Sequence, residues 1–382
     1  MQKKLLALAV AGALAPAAAI AQSSVEIYGR AHLGIDQYRA TGATIPGNDF
    51  DGRIRVYDAT SRVGFRVNES LGGGMRAFVV IESGVNIDSG SQMGQGGTNG
   101  STGFWASRSS WLGLGGGWGD IRFGRQDVFY GNGIIAQASA NYINTAVDAA
   151  WTQHGIVAAP GGRLPNVLSY NSPTFGGFNA SLYFSPLSES GFTTEGAPIT
   201  GGTQEEGALY ALTARYSGGA LRGQFDFSTM KNVGSVSGVD RDGWKVGVGW
   251  AYAPGSQVSF VIGNLENETP ALSAEVDIWT LNWEHMMGQW QFIAQYTNVG
   301  DTDTSLGEIP NSATKGITLA AKYFLSKRTG VYLSYNQYRN EEGGFVDFGP
   351  GGCYTSAPNC HLPATSAGAD PRLIALGILH NF

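Results

Sequence analysis

Charge is scarce in this 382-residue chain: Asp, Glu, Lys and Arg make up 14% of it, and the net charge is −6. A negative balance argues against nucleic acid as a partner. Proline is limited to 14 residues and cysteine to Cys353 and Cys360, so this is neither a proline-rich linker protein nor a disulfide scaffold. Beyond residue 21 there is no apolar run of about 18 residues, which excludes a membrane-spanning helix. No G-x-S-x-G elbow occurs, and His32, His154, His285, His361 and His380 are scattered along the chain. The segment "GNGIIA" at 131–136 looks like a dinucleotide fingerprint but lacks the following helical pattern and the acid about twenty residues on. No cofactor is expected.

What the chain has in abundance is glycine, 57 residues of it, which calls for many turns or close backbone contacts. It also has an export signal. Lys3 and Lys4 precede the apolar run "LLALAVAGALAPAAAI", and Ala19-Ile20-Ala21 supplies an A-x-A cleavage site, so residues 1–21 read as a signal peptide and 22–382 as the working domain. Losing Lys3 and Lys4 deepens the net charge from −6 to −8. In an exported chain, Cys353 and Cys360 in "GPGGCYTSAPNCHLP" read as one local disulfide. A metal site including His361 would lack a fourth ligand.

Alternation dominates the rest. "DGWKVGVGWAY" sets Trp244, Val246, Val248 and Trp250 against Lys245, Gly247 and Gly249, and "LRGQFDFS" sets Leu221, Phe225 and Phe227 against Arg222, Gln224, Asp226 and Ser228. Period two means strands. Short turns at 71–74, 115–119, 172–177, 217–220, 253–256, 285–289 and 325–329 alternate with long polar connections, so one rim is tight and the other elaborate. The count is sixteen strands. Residues 22–382 then leave about 23 residues for each strand and its connection, ample for a tilted span of roughly 9–11. Aromatic residues such as Trp105, Trp118, Tyr216, Trp250, Trp279, Trp283, Trp290, Tyr296, Tyr323 and Tyr335 fall near strand ends on the apolar face, as at a lipid–water boundary. The expected fold is all-β, a sixteen-stranded antiparallel transmembrane β-barrel in the bacterial outer membrane. The chain stops inside an alternating segment, "LIALGILHNF", so the last strand, ending on Phe382, is expected to pair with the first, near "SSVEIYGRAHLGID".

The segments "VEIYGR", "SRVGFRVNESLGGGMRAFVVIESG" (61–84), "RSSWLGLGGGWGDIRFGRQ" (108–126), "NVLSYNSPTFGGFNASLYF" (166–184), "LSKRTGVYLSYNQY" (325–338) and the closing "LGILHNF" resemble the general porins of Gram-negative bacteria, beta-proteobacterial type. Glu26 departs from that pattern, standing where the family usually has a small or hydroxyl residue. The resemblance implies a trimeric barrel, a terminal Phe382 read by the barrel-assembly machinery, and a third loop at 127–162 folded inward to narrow the pore. It also implies a basic ladder at Arg30, Arg62 and Arg108. Strand parity alone places Arg30, Arg62, Arg66, Arg76, Arg108, Arg122 and Arg163 inside the first six strands against Glu26 and Glu82, with Arg125 at the loop junction and Asp127 and Asp148 supplied by the loop.

A narrow low-dielectric throat would focus the field between ladder and loop, whereas distant loop acids are screened beyond about 8–10 Å. A mild anion preference follows. The expected partners are outer-membrane lipid and lipopolysaccharide, small hydrophilic solutes and ions, and further copies of the chain. A substrate-specific porin for an organic acid or sugar, an outer-membrane barrel enzyme and an adhesin are the other readings.

Overall fold

The computed structural model describes residues 24–88, 90, 105–129, 150–151, 153–154, 156–186, 207–233, 236–346 and 366–382, with only the backbone of 153 and 154. The expected signal peptide, residues 1–21, lies outside them, as do Asp148, His361, Cys353 and Cys360.

Sixteen strands form one closed antiparallel barrel. β1 is Ser24–Thr41. β2 runs in two pieces, Phe50–Asp58 and Arg62–Gly72, and β3 is Met75–Gly84. β4 (Ser110–Gly116), β5 (Gly119–Val128), β6 (Gly162–Asn171), β7 (Phe178–Pro186) and β8 (Ala208–Gly218) follow. Next come β9 (Leu221–Lys231), β10 (Asp240–Ala253), β11 (Ser256–Glu268) and β12 (Ser273–Met287). β13 (Trp290–Val299), β14 (Thr314–Phe324), β15 (Thr329–Asn340) and β16 (Asp370–Asn381) complete the wall. Each strand pairs with its sequence neighbours, and β16 pairs with β1 from Arg30 opposite Asn381 to Thr41 opposite Asp370. Among the described residues, the barrel sheet itself is therefore left with no open edge strand.

The two-residue turns have residues that suit them. Gly288 between β12 and β13 sits at φ 59° and Gly219 between β8 and β9 at φ 56°, the left-handed region that tight hairpins require. Alternation then sorts the side chains. Val25, Ile27, Ile35, Leu112, Trp250 and Leu376 point outward and are exposed, whereas His32, Asp36, Thr280, Asn282, Thr318 and Asn336 on the inner face are buried among polar neighbours. The inner wall satisfies itself by hydrogen bonds such as Thr280 Oγ1 to Thr297 Oγ1 at 2.6 Å and Thr318 Oγ1 to Asn336 Oδ1 at 2.7 Å. An apolar outside with a hydrogen-bonded polar inside is the arrangement a bilayer demands of a closed sheet.

The closing seam is fastened twice. The Phe382 amide donates to the Gly29 carbonyl at 3.1 Å and the Gly29 amide to the Phe382 carbonyl at 3.0 Å, while the Phe382 ring covers the Cα of Gly29 where any Cβ would collide with it. On the inner side, Tyr332 of β15 lies across Gly377 of β16, and Tyr57 of β2 lies across Gly34 of β1. Their hydroxyls meet at 2.5 Å, and His32 Nε2 is 2.8 Å from Tyr332 Oη. Two glycine notches thus let two tyrosines reach over the strands whose pairing closes the barrel.

β2 departs from a straight reading. Leu33 pairs with Asp58 but Arg30 with Arg62, so one extra residue is accommodated at 59–61, where Thr60 adopts φ 68°. This bulge changes the numbering parity of β2: Arg62 and Arg66 point inward below it, and Arg53, Arg55 and Tyr57 above it.

Candidate functional site

The inner wall of β1 to β6 gathers the charge. β3 delivers Glu82 opposite Gly64 of β2, and the space above Gly64 is covered by Tyr28, whose hydroxyl donates to Glu82 Oε2 at 3.2 Å. Arg108, in the irregular approach to β4, donates from Nε to Glu82 Oε1 at 2.6 Å, and Arg62 Nε lies 3.6 Å from Oε2. One carboxylate therefore holds two guanidiniums. Beside it, Arg163 at the start of β6 pairs with Asp127 at the end of β5 at 2.9 Å, and Ser109 Oγ donates to Asp127 Oδ2 at 2.5 Å. Arg125 donates to the Ser107 carbonyl at 3.2 Å. Four arginines, Arg62, Arg108, Arg125 and Arg163, surround two carboxylates, so the group is net positive.

The other sequence-selected arginines have different partners. Arg30 is directly opposite Arg62 and donates from Nε to Asn381 Oδ1 at 3.0 Å across the closing seam. Arg66 pairs with Glu26 at 2.8 Å near the short-turn rim. Arg122 pairs with Asp120 at 2.7 Å and lies over the Trp111 ring, and Arg76 lies over Phe78. The inner wall also holds pairs that alternation alone does not select. Asp36 accepts two bonds from Arg55 Nε and Nη2, at 2.8 and 2.9 Å, but the bulge in β2 hides the inward position of Arg55 from a parity count. Lys245 of β10 meets Asp226 of β9 at 3.0 Å, both fully buried. Both fall on the polar faces of adjoining strands in the sequence pattern, the signal that could have joined them.

That second pair reaches the loop. Lys245 Nζ also donates to the Phe129 carbonyl at 3.1 Å and sits over the Phe129 ring at 4.2 Å, just after β5. Asp226 is further held by Thr213 Oγ1 at 2.6 Å and Gln224 Nε2 at 2.7 Å. At the far end of the same connection, the buried Trp151 indole donates to Thr280 Oγ1 of β12 at 3.0 Å, and Asn267 Nδ2 of β11 donates to the Ile156 carbonyl at 2.8 Å. Both roots of the segment between β5 and β6 are thus fastened to the inner wall of β9 to β12, and Val128, Phe129, Ala150, Trp151 and Val157 share one apolar cluster with Leu265 and Ile278 of that wall and Leu209 of β8.

The Gram-negative porin family pattern matches residues 7–343 of this chain. The chain belongs to the Gram-negative porin family. Outer membrane porin protein 32 of Delftia acidovorans is 26% identical to this porin over the full length of both. A major outer membrane protein P.IB of Neisseria gonorrhoeae is 31% identical, over 60% of this chain and 62% of its own. The solved anion-selective porin from Comamonas acidovorans has the same fold, with a TM-score of 0.73 at 22% identity, covering 94% of this chain and all of that one. This porin is a protein of the bacterial outer membrane, as its relatives are.

Proposed function

We propose that this porin forms a water-filled channel through which small hydrophilic solutes and ions diffuse passively, with residues 127–162 narrowing the lumen opposite Arg62, Arg108, Arg125 and Arg163. The observation that carries the reading is the pairing of a net-positive wall with a segment rooted on the opposite wall. Both described roots of that segment, Phe129 and Trp151, are held on the inner wall. Positive charge held by short contacts in a narrow, poorly screened passage favours anions over cations. The Comamonas porin, an anion-selective channel, has the same sign of preference. Asp127 and Glu82 temper the field and fix the guanidiniums in place. On this reading the porin works as a homotrimer, carries Asp148 toward the constriction, and presents Phe382 to the barrel-assembly machinery.

Reconstitution into planar bilayers tests the proposal. The wild type is expected to give ohmic steps that close in three equal levels and a reversal potential of anion sign in a salt gradient. The R62S/R108S variant should shift that potential toward cations and raise the single-channel conductance. An unchanged reversal potential would remove these arginines from the constriction, and an absence of conductance steps would remove the channel. Liposome swelling with sugars and organic acids would separate a general from a substrate-specific pore.

A further inference from the structure

From Glu82 toward the short-turn rim, the inner wall turns aromatic. β3 carries Val80, Phe78 and Arg76 inward in successive steps, so Phe78 lies about 13 Å from Glu82 along the strand. Phe78 stands opposite Gly113 of β4, and Arg122 of β5 stands opposite Gly113 on its other side. The Phe78 ring occupies the space that a Cβ on Gly113 would need. Trp111, one inward step along β4, meets Phe78 edge-on, with ring centroids 5.4 Å apart and planes at 85°. Guanidiniums lie on both rings: Arg76 at 4.8 Å from the Phe78 centroid, Arg122 at 4.5 Å from that of Trp111. Arg66 repeats the arrangement over Tyr28 at 4.4 Å. Charge separates the three. Arg66 pairs with Glu26, and Arg122 donates from Nε and Nη2 to the two oxygens of Asp120, at 2.7 and 3.2 Å. Among the described residues no carboxylate pairs with Arg76, which is exposed above the buried Phe78.

We propose that Arg76, Phe78 and Trp111 form a second solute subsite, between the constriction and the short-turn mouth, that selects planar aromatic carboxylates. The proposal rests on the reading of the lumen as the solute path. A guanidinium laid on a ring has one face covered, while its edge and its other face meet the solute. The edge matches a carboxylate through two parallel N–H bonds. The open face is weakly hydrated and stacks a flat π system, and the half-buried Trp111 walls the space beside it. A benzoate-like anion uses edge, face and wall together. A saturated ring carboxylate of the same charge and similar size uses the edge alone, and a small inorganic anion has no ring to stack. Asp120 neutralises Arg122 and holds it on Trp111, so the charge that the solute meets is that of Arg76.

Chloride currents through the porin in planar bilayers are titrated with benzoate, cyclohexanecarboxylate or inorganic phosphate. The wild type is expected to be half-inhibited by benzoate at about fivefold lower concentration than by cyclohexanecarboxylate. R76K keeps the positive charge but not the planar fork, and should bring the two carboxylates level. R76Q should weaken both, benzoate by about tenfold. Saturation-transfer NMR on the detergent-solubilised porin reads the same benzoate preference without any current. Ohmic channels that show no benzoate preference, or keep it undiminished in R76K, would overturn the subsite and leave the passive channel standing. A benzoate preference by NMR that R76K removes, in a protein that carries no current, would support the subsite and overturn the channel. Phosphate that inhibits as strongly as benzoate, and is weakened equally by R76Q, would make Arg76 a site for any anion and overturn the choice of ligand.

Discussion

Glu82 shows how one carboxylate can govern two guanidiniums. It accepts from Arg108 at 2.6 Å, lies 3.6 Å from Arg62 and takes a third contact from Tyr28. Glu82→Gln keeps the shape and removes the charge, so the wall becomes more positive while Arg62 is less tightly held. The expected result is a reversal potential displaced further toward anions, opposite in sign to R62S/R108S, checked in the same salt gradient. Glu82 was legible from the alternation of β3, and Arg62 from that of β2 below its bulge, whereas Asp127 and Arg163 pair beyond a register shift between β5 and β6 that alternation does not reveal. Arg55 was not legible either. A single extra residue at Thr60 reverses the count, and nothing in "YDATSR" announces a left-handed threonine.

At the scale of elements, β9 and β10 do more than complete the wall. Their buried Asp226 and Lys245 pair carries a bond onward to the Phe129 carbonyl, so the root of the segment after β5 is held by strands across the barrel. Lys245→Met preserves the stem over the Phe129 ring and leaves Asp226 with Thr213 and Gln224. A charge-assisted bond contributes about 1.5–3 kcal/mol. Its loss is expected to raise open-channel noise and sub-conductance transitions about tenfold, read in single-channel records. Unchanged noise would show that the loop is held elsewhere. The strands themselves were readable from their period. The fastening was not, because alternation reports which face a side chain takes and says nothing about what a distant segment brings to it.

At the scale of the whole molecule, the strand number, the tight rim and the pairing of last strand with first all followed from the sequence, since a lipid solvent leaves a closed sheet as the only all-strand solution. The seam chemistry did not. Tyr57 and Tyr332 reach each other only because Gly34 and Gly377 leave room, a relation across strands far apart in sequence. Gly377→Val should force Tyr332 off the strand and break its contacts with Tyr57 and His32. A loss of about 1–3 kcal/mol of packing is expected, seen as a lower temperature of the heat-induced gel shift, with ion selectivity unchanged.

The pairing of Gly29 with Phe382 also makes the polypeptide a ring with one cut in it. Ser24, the first described residue, lies five residues before Gly29 along β1, about 17 Å at the strand rise, so a linker of about ten residues could join it to Phe382. The ring could then be reopened in the turn between Gly218 and Leu221. Such a circular permutant keeps every backbone pairing while moving Phe382 to the interior of the chain. Refolded in detergent, it is expected to recover the wild-type conductance. Expressed in cells, it should stall before insertion, if the free terminal phenylalanine is what the assembly machinery reads. Failure in detergent would mean instead that the seam needs loose ends to thread its tyrosines. One rearranged gene would thus separate the proposed address at Phe382 from the joint it makes.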